Sequence, residues 1–171
     1  MAVAARGGAG RGLRVIADID ETEAGQGASA QTSRLRHIIE HIADLDAGTS
    51  DGQIDRVWSA TYELTTTPVD LDLTALTSQL DGSTVGIAEL TGIVVTNDEA
   101  AGAGDVQVGG DAASVLFCAA ANDTILVKPM GILALSAPSG YTVTNTTADV
   151  VQIAASTGTI TCRIMLYGRS A

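Results

Sequence analysis

Apolar and polar residues alternate with a period of two over much of the chain from about Arg56 onward. Residues 69–73 read Val-Asp-Leu-Asp-Leu, and residues 160–167 read Ile-Thr-Cys-Arg-Ile-Met-Leu-Tyr. Because successive side chains of a β-strand point to opposite faces, this alternation predicts strands with one buried side. Further strand-like runs occupy residues 57–65, 87–96, 105–108, 114–118, 124–127, 132–136, 141–144 and 150–154.

Turn-forming residues separate these runs, and no helical stretch lies between them. Asp81-Gly82 and Gly109-Gly110 are examples of such turn signals. A parallel sheet would need crossover helices, which this part of the sequence does not supply. We therefore predict a mainly β domain over residues 57–171, built as an antiparallel β-sandwich or barrel of jelly-roll-like type.

A different spacing precedes this domain. Within residues 32–56, apolar residues recur three and four positions apart, which places them on one side of an α-helix. These apolar positions are Leu35, Ile38, Ile39, Ile42 and Leu45. Thr32 and Ser33 suit an N-cap, and Gly48 suits a helix end. We expect one short helix and a connector here, with the apolar stripe packed either on the sheet or on another chain.

Residues 1–31 differ from the rest in composition. They hold small-residue, glycine-containing stretches at residues 6–12 and 24–30, on either side of a short apolar patch. Glycine-rich backbone does not hold a helix. We expect an N-terminal arm here, which is either flexible or extended across a neighbouring subunit.

The charge of the chain is strongly negative. Twenty acidic residues face nine basic ones, which gives a formal net charge of −11. Nucleic acids and anionic membranes are bound through clustered Lys and Arg, so we expect neither as a partner. The sequence shows no secretory signal and no run of about 18 apolar residues, so a soluble protein made inside the cell is expected.

One motif invites a catalytic interpretation. Residues 15–22 read Val-Ile-Ala-Asp-Ile-Asp-Glu-Thr and fit the first signature of haloacid-dehalogenase-type phosphatases, in which Asp18 would be the nucleophile. That chemistry also needs a Lys followed by a second acidic pair. Lys128 is the only Lys of the chain, and Asp149 is the only acidic residue after it. We therefore predict that the protein is not an enzyme and uses no cofactor.

Metal sites are equally incomplete. Residues 44–55 resemble a calcium loop in length, but they place Gly48 at the fifth position and lack the Glu of the twelfth. His37 and His41 stand four apart without a third ligand. Cys118 and Cys162 belong to no zinc-binding spacing, and we expect both to be small buried apolar residues. No metal site is predicted.

Seven short motifs follow one another between about residues 50 and 168. They read GQIDRVWS at 52–59, DLDL at 70–73, DVQVGGDA at 105–112, VKPMGIL at 127–133, SGYTV at 139–143, DVVQIA at 149–154 and IMLYG at 164–168. This ordered series resembles small virion structural proteins of tailed bacteriophages. The resemblance implies a non-enzymatic structural protein of the virion.

A negatively charged domain would be repelled by packaged DNA, which favours the outer head surface. The main hypothesis is a capsid decoration (cement) or minor capsid protein that stabilises the head through contacts between subunits. A neck, tail or fibre-attachment protein is the alternative. A carbohydrate- or receptor-binding β-sandwich is a further hypothesis, which would need an exposed aromatic platform. The available rings are Trp58, Tyr62, Tyr141 and Tyr167.

The expected partners are the major capsid protein, other virion proteins and further copies of this chain. A trimer is favoured, because contacts between protomers would cover edge strands that otherwise invite aggregation. We expect the contacts in the arm and on the helix stripe. The predicted interface residues are Arg6, Arg11, Leu13, Arg14, Val15 and Ile16 in the arm, and Ile38, Ile39 and Ile42 on the stripe.

Overall fold

The computed structural model of the chain describes residues 14–23, 33–42, 45–115, 117–118, 120 and 122–170. Within these ranges the regular secondary structure is β-strand, and no helix is present that is long and apolar enough to cross a membrane. The chain divides into two compact units, one over residues 9–45 and the other containing the residues from Asp46 onward.

The first unit is a β-hairpin. Strand β1 (Arg14–Glu23) pairs antiparallel with β2 (Ser33–Ile42), so that Arg14 lies opposite Ile42 and Glu23 lies opposite Ser33. The helix predicted over this region is therefore wrong. Part of the predicted arm is a strand of the hairpin, and the remainder of residues 1–31 lies outside the described residues.

The physical reason for this correction is the pairing partner. Isoleucines at positions 38, 39 and 42 are β-branched, and β-branched side chains favour extended backbone. A complementary strand earlier in the chain supplies the hydrogen bonds that a helix would otherwise have made within itself. The spacing of apolar residues within one segment carries no information about a pairing partner elsewhere in the chain. Pairing with β1 can therefore override a helical spacing.

The second unit contains two four-stranded antiparallel sheets. In chain order its strands are β3 (Asp46–Ala47), β4 (Gln53–Ile54), β5 (Arg56–Leu64), β6 (Val69–Asp72), β7 (Leu76–Thr77), β8 (Thr84–Val85), β9 (Glu89–Asn97), β10 (Val106–Gly109), β11 (Thr124–Val127), β12 (Ile132–Thr142), β13 (Val150–Ala155) and β14 (Ile160–Arg169). The front sheet has the order β12-β9-β14-β5, and the back sheet has the order β11-β10-β13-β6. The short pairs β3-β4 and β7-β8 stand outside these sheets.

The mainly β, antiparallel prediction is thus confirmed. Neither four-stranded sheet closes into a barrel within the described residues. The runs predicted at 132–136 and 141–144 belong to one strand, β12, whose register shifts between Ser136 and Tyr141. Gly140, at φ +79°, lies in this irregular stretch. The run at 114–118 forms no strand and contributes only an isolated bridge at Ser114.

The inner sides of both sheets contribute to one hydrophobic core. Ile93, Ile164 and Leu166 enter it from the front sheet, and Val108 and Ile153 enter it from the back sheet, all nearly or fully buried. Burying a side chain of this size stabilises the fold by roughly 1.5–3 kcal/mol. The alternation read from the sequence therefore marks the side of each strand that faces the core.

The two cysteines are free thiols, and their burial differs. Cys162 is fully buried in the core, as predicted, and burial raises the pKa of its thiol to about 11. It therefore stays protonated at neutral pH. Cys118 is only half-buried, so the prediction holds for Cys162 alone.

Asn97, at the end of β9, links the two sheets. Its buried side chain donates hydrogen bonds to the carbonyl oxygens of Gly104 and Val127, each at 3.0 Å. Val127 ends β11 of the back sheet. The Asn97 oxygen accepts a bond from the amide of Glu99 at 3.2 Å. Because an unpaired buried amide costs about 1–3 kcal/mol, this arrangement fixes the position of β11 relative to β9.

Arg169, the last residue of β14, links the end of this inner strand to neighbouring segments. Its side chain is 4% exposed. Its partners are the carbonyl oxygens of Ser50, Pro138 and Ser139 and the carboxylates of Asp51 and Glu89. One guanidinium thus joins β14 to the loop between β3 and β4, to β9 and to the irregular part of β12.

Candidate interaction surface

The front sheet has an outward side, opposite its core side. The cross-strand register arranges the outward residues in rows that run from β12 to β5. Three successive rows are Ile132-Thr96-Arg163-Thr61, Ala134-Val94-Met165-Ser59 and Ser136-Gly92-Tyr167-Val57. We refer to the residues of these three rows as the neutral face. Beyond the first row, the exposed Glu63 of β5 lies opposite Thr161 on the same side.

The neutral face contains one charged side chain, and that charge is already paired. Arg163 donates hydrogen bonds to both carboxylate oxygens of Asp98, from Nε at 2.6 Å and from Nη2 at 3.1 Å. The hydrogen bond from Arg163 lowers the pKa of Asp98, and the same bond raises the pKa of Arg163. Both groups are therefore charged at neutral pH, and their charges cancel locally.

Apolar side chains are exposed on this face. Val57 is 57% exposed, Ile132 is 65% exposed and Met165 is 37% exposed. Val94 and Ala134 lie between them and are half-buried. Single exposed apolar residues are common on soluble proteins, but several of them on one sheet surface are typical of an interaction site.

One aromatic ring flattens the neutral face. Tyr167 of β14 lies opposite Gly92 of β9, and a Cβ atom added to Gly92 would overlap the tyrosine ring. The ring therefore occupies the space that a side chain at position 92 would need, and Tyr167 is only 6% exposed. Its hydroxyl donates to the carbonyl oxygen of Leu135 at 3.4 Å. The result is a low surface with no protruding aromatic residue.

A shallow depression of about 530 Å³ opens on the same side of the front sheet. Its lining includes Ser59, Thr61, Thr96, Arg163 and Gln79. Arg163 is paired with Asp98, so the depression offers no unpaired cation for an anionic ligand. We interpret the depression as an uneven part of the sheet surface rather than as a ligand pocket.

The outward side of the back sheet is different, and we call it the polar face. Asp70 and Asp72 of β6 and Gln152 of β13 lie on it, and Gln152 donates to Asp70 at 2.7 Å. Asp72 accepts bonds from the amide and the hydroxyl of Thr74, at 2.8 Å and 2.6 Å. Leu126 of β11, 48% exposed, is its exposed large apolar residue.

No family model, curated protein or solved structure matches this chain. Inference about its function therefore depends on the residues and the geometry of the described parts, together with the ordered motifs of the β-domain.

The hairpin brings two groups of predicted interface residues to one end. Arg14, Val15 and Ile16 lie at the start of β1, and the register sets them opposite Ile42, His41 and Glu40 of β2. Ile39 and Ile38 follow, opposite Ala17 and Asp18. The remaining predicted residues, Arg6, Arg11 and Leu13, lie outside the described residues. The interface assignment itself stays a prediction.

The chemical motifs do not assemble into a site in the described residues. The phosphatase-like segment 15–22 is part of an antiparallel hairpin rather than of a parallel sheet. In the calcium-loop segment, Asp55 accepts bonds from the amide and hydroxyl of Ser170 and pairs with Arg56 at 3.0 Å. Among the residues that the structure describes, no group of three or more His, Cys, Asp or Glu is placed to hold a metal ion.

The aromatic side chains do not form an exposed platform. Trp58 is 5% exposed, and its Nε1 donates to the carbonyl oxygen of Thr77 at 2.8 Å. Tyr62 and Tyr141 are half-buried and pack against the core, and Tyr167 lies over Gly92. The exposed aromatic platform that a carbohydrate-binding sandwich would need is therefore not seen among these four rings.

The sequence alone indicated part of the outward side of the front sheet. The alternation in residues 160–167 already set Thr161, Arg163, Met165 and Tyr167 on the side away from the core. It did not indicate that β9 and β12 extend the same surface, since strand neighbours far apart in the chain leave no local signal. The Arg169 cluster was missed for the same reason, because its carboxylate partners lie 80 and 118 positions earlier.

Proposed function

We propose that this chain is a non-enzymatic structural protein of a bacteriophage virion, acting as a capsid decoration (cement) or minor capsid protein. The neutral face carries the proposal, because exposed apolar side chains on a locally uncharged sheet surface are suited to contact with another protein. Such a surface requires no ligand pocket and no reactive group. Its role would be to stabilise the head through contacts between subunits.

The positions of the ordered motifs support the resemblance to phage structural proteins. The DLDL motif begins in β6, and DVQVGGDA covers β10 and the turn that follows it. Gly109 and Gly110 in that turn have φ values of +97° and +104°, a backbone that favours glycine. The motifs thus coincide with strands and turns of the β-domain. We infer that the two sheets form a jelly-roll-like β-sandwich around the shared core.

The charge of the second unit supports a place on the outside of the particle. From Asp46 onward the chain has fourteen acidic and four basic residues, a net charge of −10. This charge disfavours contact with packaged DNA and favours an exposed, solvated position. The partners proposed are the major capsid protein, other virion proteins and further copies of the chain. The virion, with the outer head surface first, is the proposed location.

The test is the composition of gradient-purified particles produced from the genome that encodes the chain. We expect mass spectrometry to detect the protein in many copies per particle, and cryo-electron microscopy to locate it on the outside of the head. Its presence in separated tails instead of heads would support the neck, tail or fibre-attachment alternative. Its absence from washed particles would contradict the proposal.

A further inference from the structure

We propose that the neutral face is a self-association surface, which packs against the neutral face of a second copy of this chain. This inference rests on the proposed function only for its setting, the crowded surface of a particle. The contact itself is argued from the charge, shape and extent of the face, and it is testable with the purified protein alone.

The charge distribution singles out a second copy as the occupant. Two copies carry −10 each in this unit, so most approaches bring carboxylates together. The polar face is an example, since Asp70 and Asp72 would meet their own copies there. On the neutral face the charge of Arg163 is cancelled by Asp98 within the same chain. Within its three rows two copies can therefore approach without placing like charges opposite each other, and the carboxylate of Glu63 lies beyond these rows on β5.

The shape of the face also suits a copy of itself. Tyr167 lies flat over Gly92, so the centre of the sheet has no protruding ring. Two sheets that pack face to face lie about 10 Å apart and interdigitate side chains of moderate size. Met165, Val94 and Val57 are such side chains. A basic partner protein would be expected to prefer the polar face instead.

Pairing of one face with the same face generates a closed two-fold contact. The expected species is therefore a dimer, rather than the trimer that covering of edge strands would favour. The mass of the complex therefore distinguishes a dimer from a trimer.

The area of the neutral face determines how strong the self-association is expected to be. Four strands about 4.8 Å apart and three rows about 6.8 Å apart cover roughly 400 Å² per copy. Stable interfaces bury about 800 Å² per partner, so this contact is in the weak class. We expect the pair to form at high protein concentration and to dissociate on dilution. A dense array on a particle surface would raise the local concentration and populate it.

The experiment is sedimentation equilibrium of the full chain over a wide concentration range, with a matched pair of variants. Val57→Glu adds a carboxylate to the neutral face on edge strand β5. Leu126→Glu adds the same group to the polar face on edge strand β11, at a similar exposure of 48% against 57%. We expect Val57→Glu to raise the dissociation constant at least tenfold, and Leu126→Glu to change it less than threefold. Equal effects, or no effect of Val57→Glu, would overturn the inference.

A mixing experiment keeps the test independent of folding defects. Met165→Glu and Met165→Lys, each purified separately, should both self-associate more weakly than the parent chain. An equimolar mixture should recover association, because opposite charges then meet across the two-fold contact. Circular dichroism confirms that each variant is folded. If the mixture associates no better than either variant alone, the two faces do not meet.

The salt dependence has a definite sign. Repulsion between the acidic remainders of two copies is screened as ionic strength rises, while an apolar contact is not weakened. We therefore expect tighter association in 0.5 M than in about 0.05 M sodium chloride. Weaker association at high salt would indicate a charge-complementary contact elsewhere and would refute the proposal.

The failure of this inference is distinguishable from failure of the proposed function. If the protein forms a dimer that depends on Val57 and Met165 but is absent from virions, the self-association surface is supported and the proposed virion function is wrong. If the protein is present in virions but monomeric at millimolar concentration, the virion function is supported and the self-association surface is wrong. A stable trimer unaffected by Val57→Glu would overturn the two-fold contact.

Discussion

The front and back sheets are alike on their inner sides and different on their outer sides. Both contribute fully buried aliphatic residues to one core, such as Ile164 in the front sheet and Ile153 in the back sheet. On the outside, the front sheet presents the neutral face with Val57 and Met165, whereas the back sheet presents Asp70 and its bonded Gln152. The inner sides of the two sheets are thus alike, whereas the outer sides differ in charge and in exposed apolar area.

The two sheets also differ in how deeply the cation of a nearby ion pair is buried. The front sheet ends in the buried Arg169 cluster, which draws on three carbonyl oxygens and two carboxylates. On the back-sheet side, Lys128 and Asp105 form an ion pair at 2.7 Å in which the Lys side chain is 72% exposed. Buried and exposed ion pairs behave differently when one partner is removed, so this contrast leads to the first prediction.

We expect Arg169→Met to have the largest effect on stability. It leaves Glu89 without its guanidinium and removes the donor to the carbonyl oxygens of Ser50 and Ser139, at a cost of about 3 kcal/mol, while the Pro138 oxygen keeps its bond from the amide of Gly52. This figure is the lower end for a broken buried pair, because both carboxylates keep contact with water. The measurement is the free energy of unfolding from urea titration at pH 7. The control Lys128→Met should cost about 1 kcal/mol or less, and equal losses would remove the contrast between the two sides.

The second prediction concerns the row of the neutral face that contains Gly92 and Tyr167. Gly92→Ala places a methyl group where the Tyr167 ring lies, and such overpacking costs about 1–3 kcal/mol. In the double variant Gly92→Ala, Tyr167→Ala, the overlap is relieved. We therefore expect the double variant to be at least about 1 kcal/mol more stable than the sum of the single effects indicates. Additive effects, measured by the same titration, would show that the ring and the glycine do not share this space.

On the polar face a smaller effect is expected. Asp70→Ala removes an exposed hydrogen bond to Gln152, which contributes about 0.5 kcal/mol because both groups can bond to water instead. Thermal unfolding of this variant should differ little from that of the parent chain. A loss above about 2 kcal/mol would mean that the polar face is structurally as demanding as the neutral face.

The smallest effect is a pH dependence at the Arg163–Asp98 pair. The hydrogen bond from Arg163 lowers the pKa of Asp98 in the folded state, so the folded protein holds this carboxylate ionised below the unfolded pKa of about 3.9. The added stability relative to Asp98→Asn is fully present above that pH. It disappears as the pH falls through the lower pKa of the folded state. Unfolding titrations of both proteins from pH 7 downward should converge in acid, and divergence would contradict this assignment.

The sequence supported the β-domain well because alternation is a local property. Residues 160–167 alternate strictly, and the structure places Ile160, Cys162, Ile164 and Leu166 inward, as the pattern predicted. Strand β11 covers residues 124–127, the same range as the predicted run. In each case the residues of the strand themselves indicate which of its sides faces the core.

The hairpin shows where local reasoning failed. Leu35, Ile38 and Ile39 satisfy a helical spacing, yet Ser33–Ile42 is a strand paired with β1. One signal did oppose the helix: basic residues stand at its predicted start and acidic residues at its end, which the helix dipole disfavours. The spacing of a few apolar residues therefore does not by itself establish a helix.

The neutral face required three-dimensional information for a different reason. Its rows combine β12, β9, β14 and β5, and no local pattern states which strands are neighbours. Gly92 reads in the sequence as a weak point of a strand, whereas the structure shows that it makes room for Tyr167. The chemistry of the surface could be listed from the sequence, but its continuity could not.

The strand order of the front sheet has a kinetic consequence. Strand β14 pairs with both β5 and β9, although β5 ends at Leu64 and β14 begins only at Ile160. Such long-range pairing slows folding, because the entropy of closing a long loop is lost before the contacts form. Until β14 arrives, β5 and β9 both present open edges that invite pairing with other chains. Pairing with β14 covers one edge of each of these two strands, so we expect the refolding yield to fall as protein concentration rises.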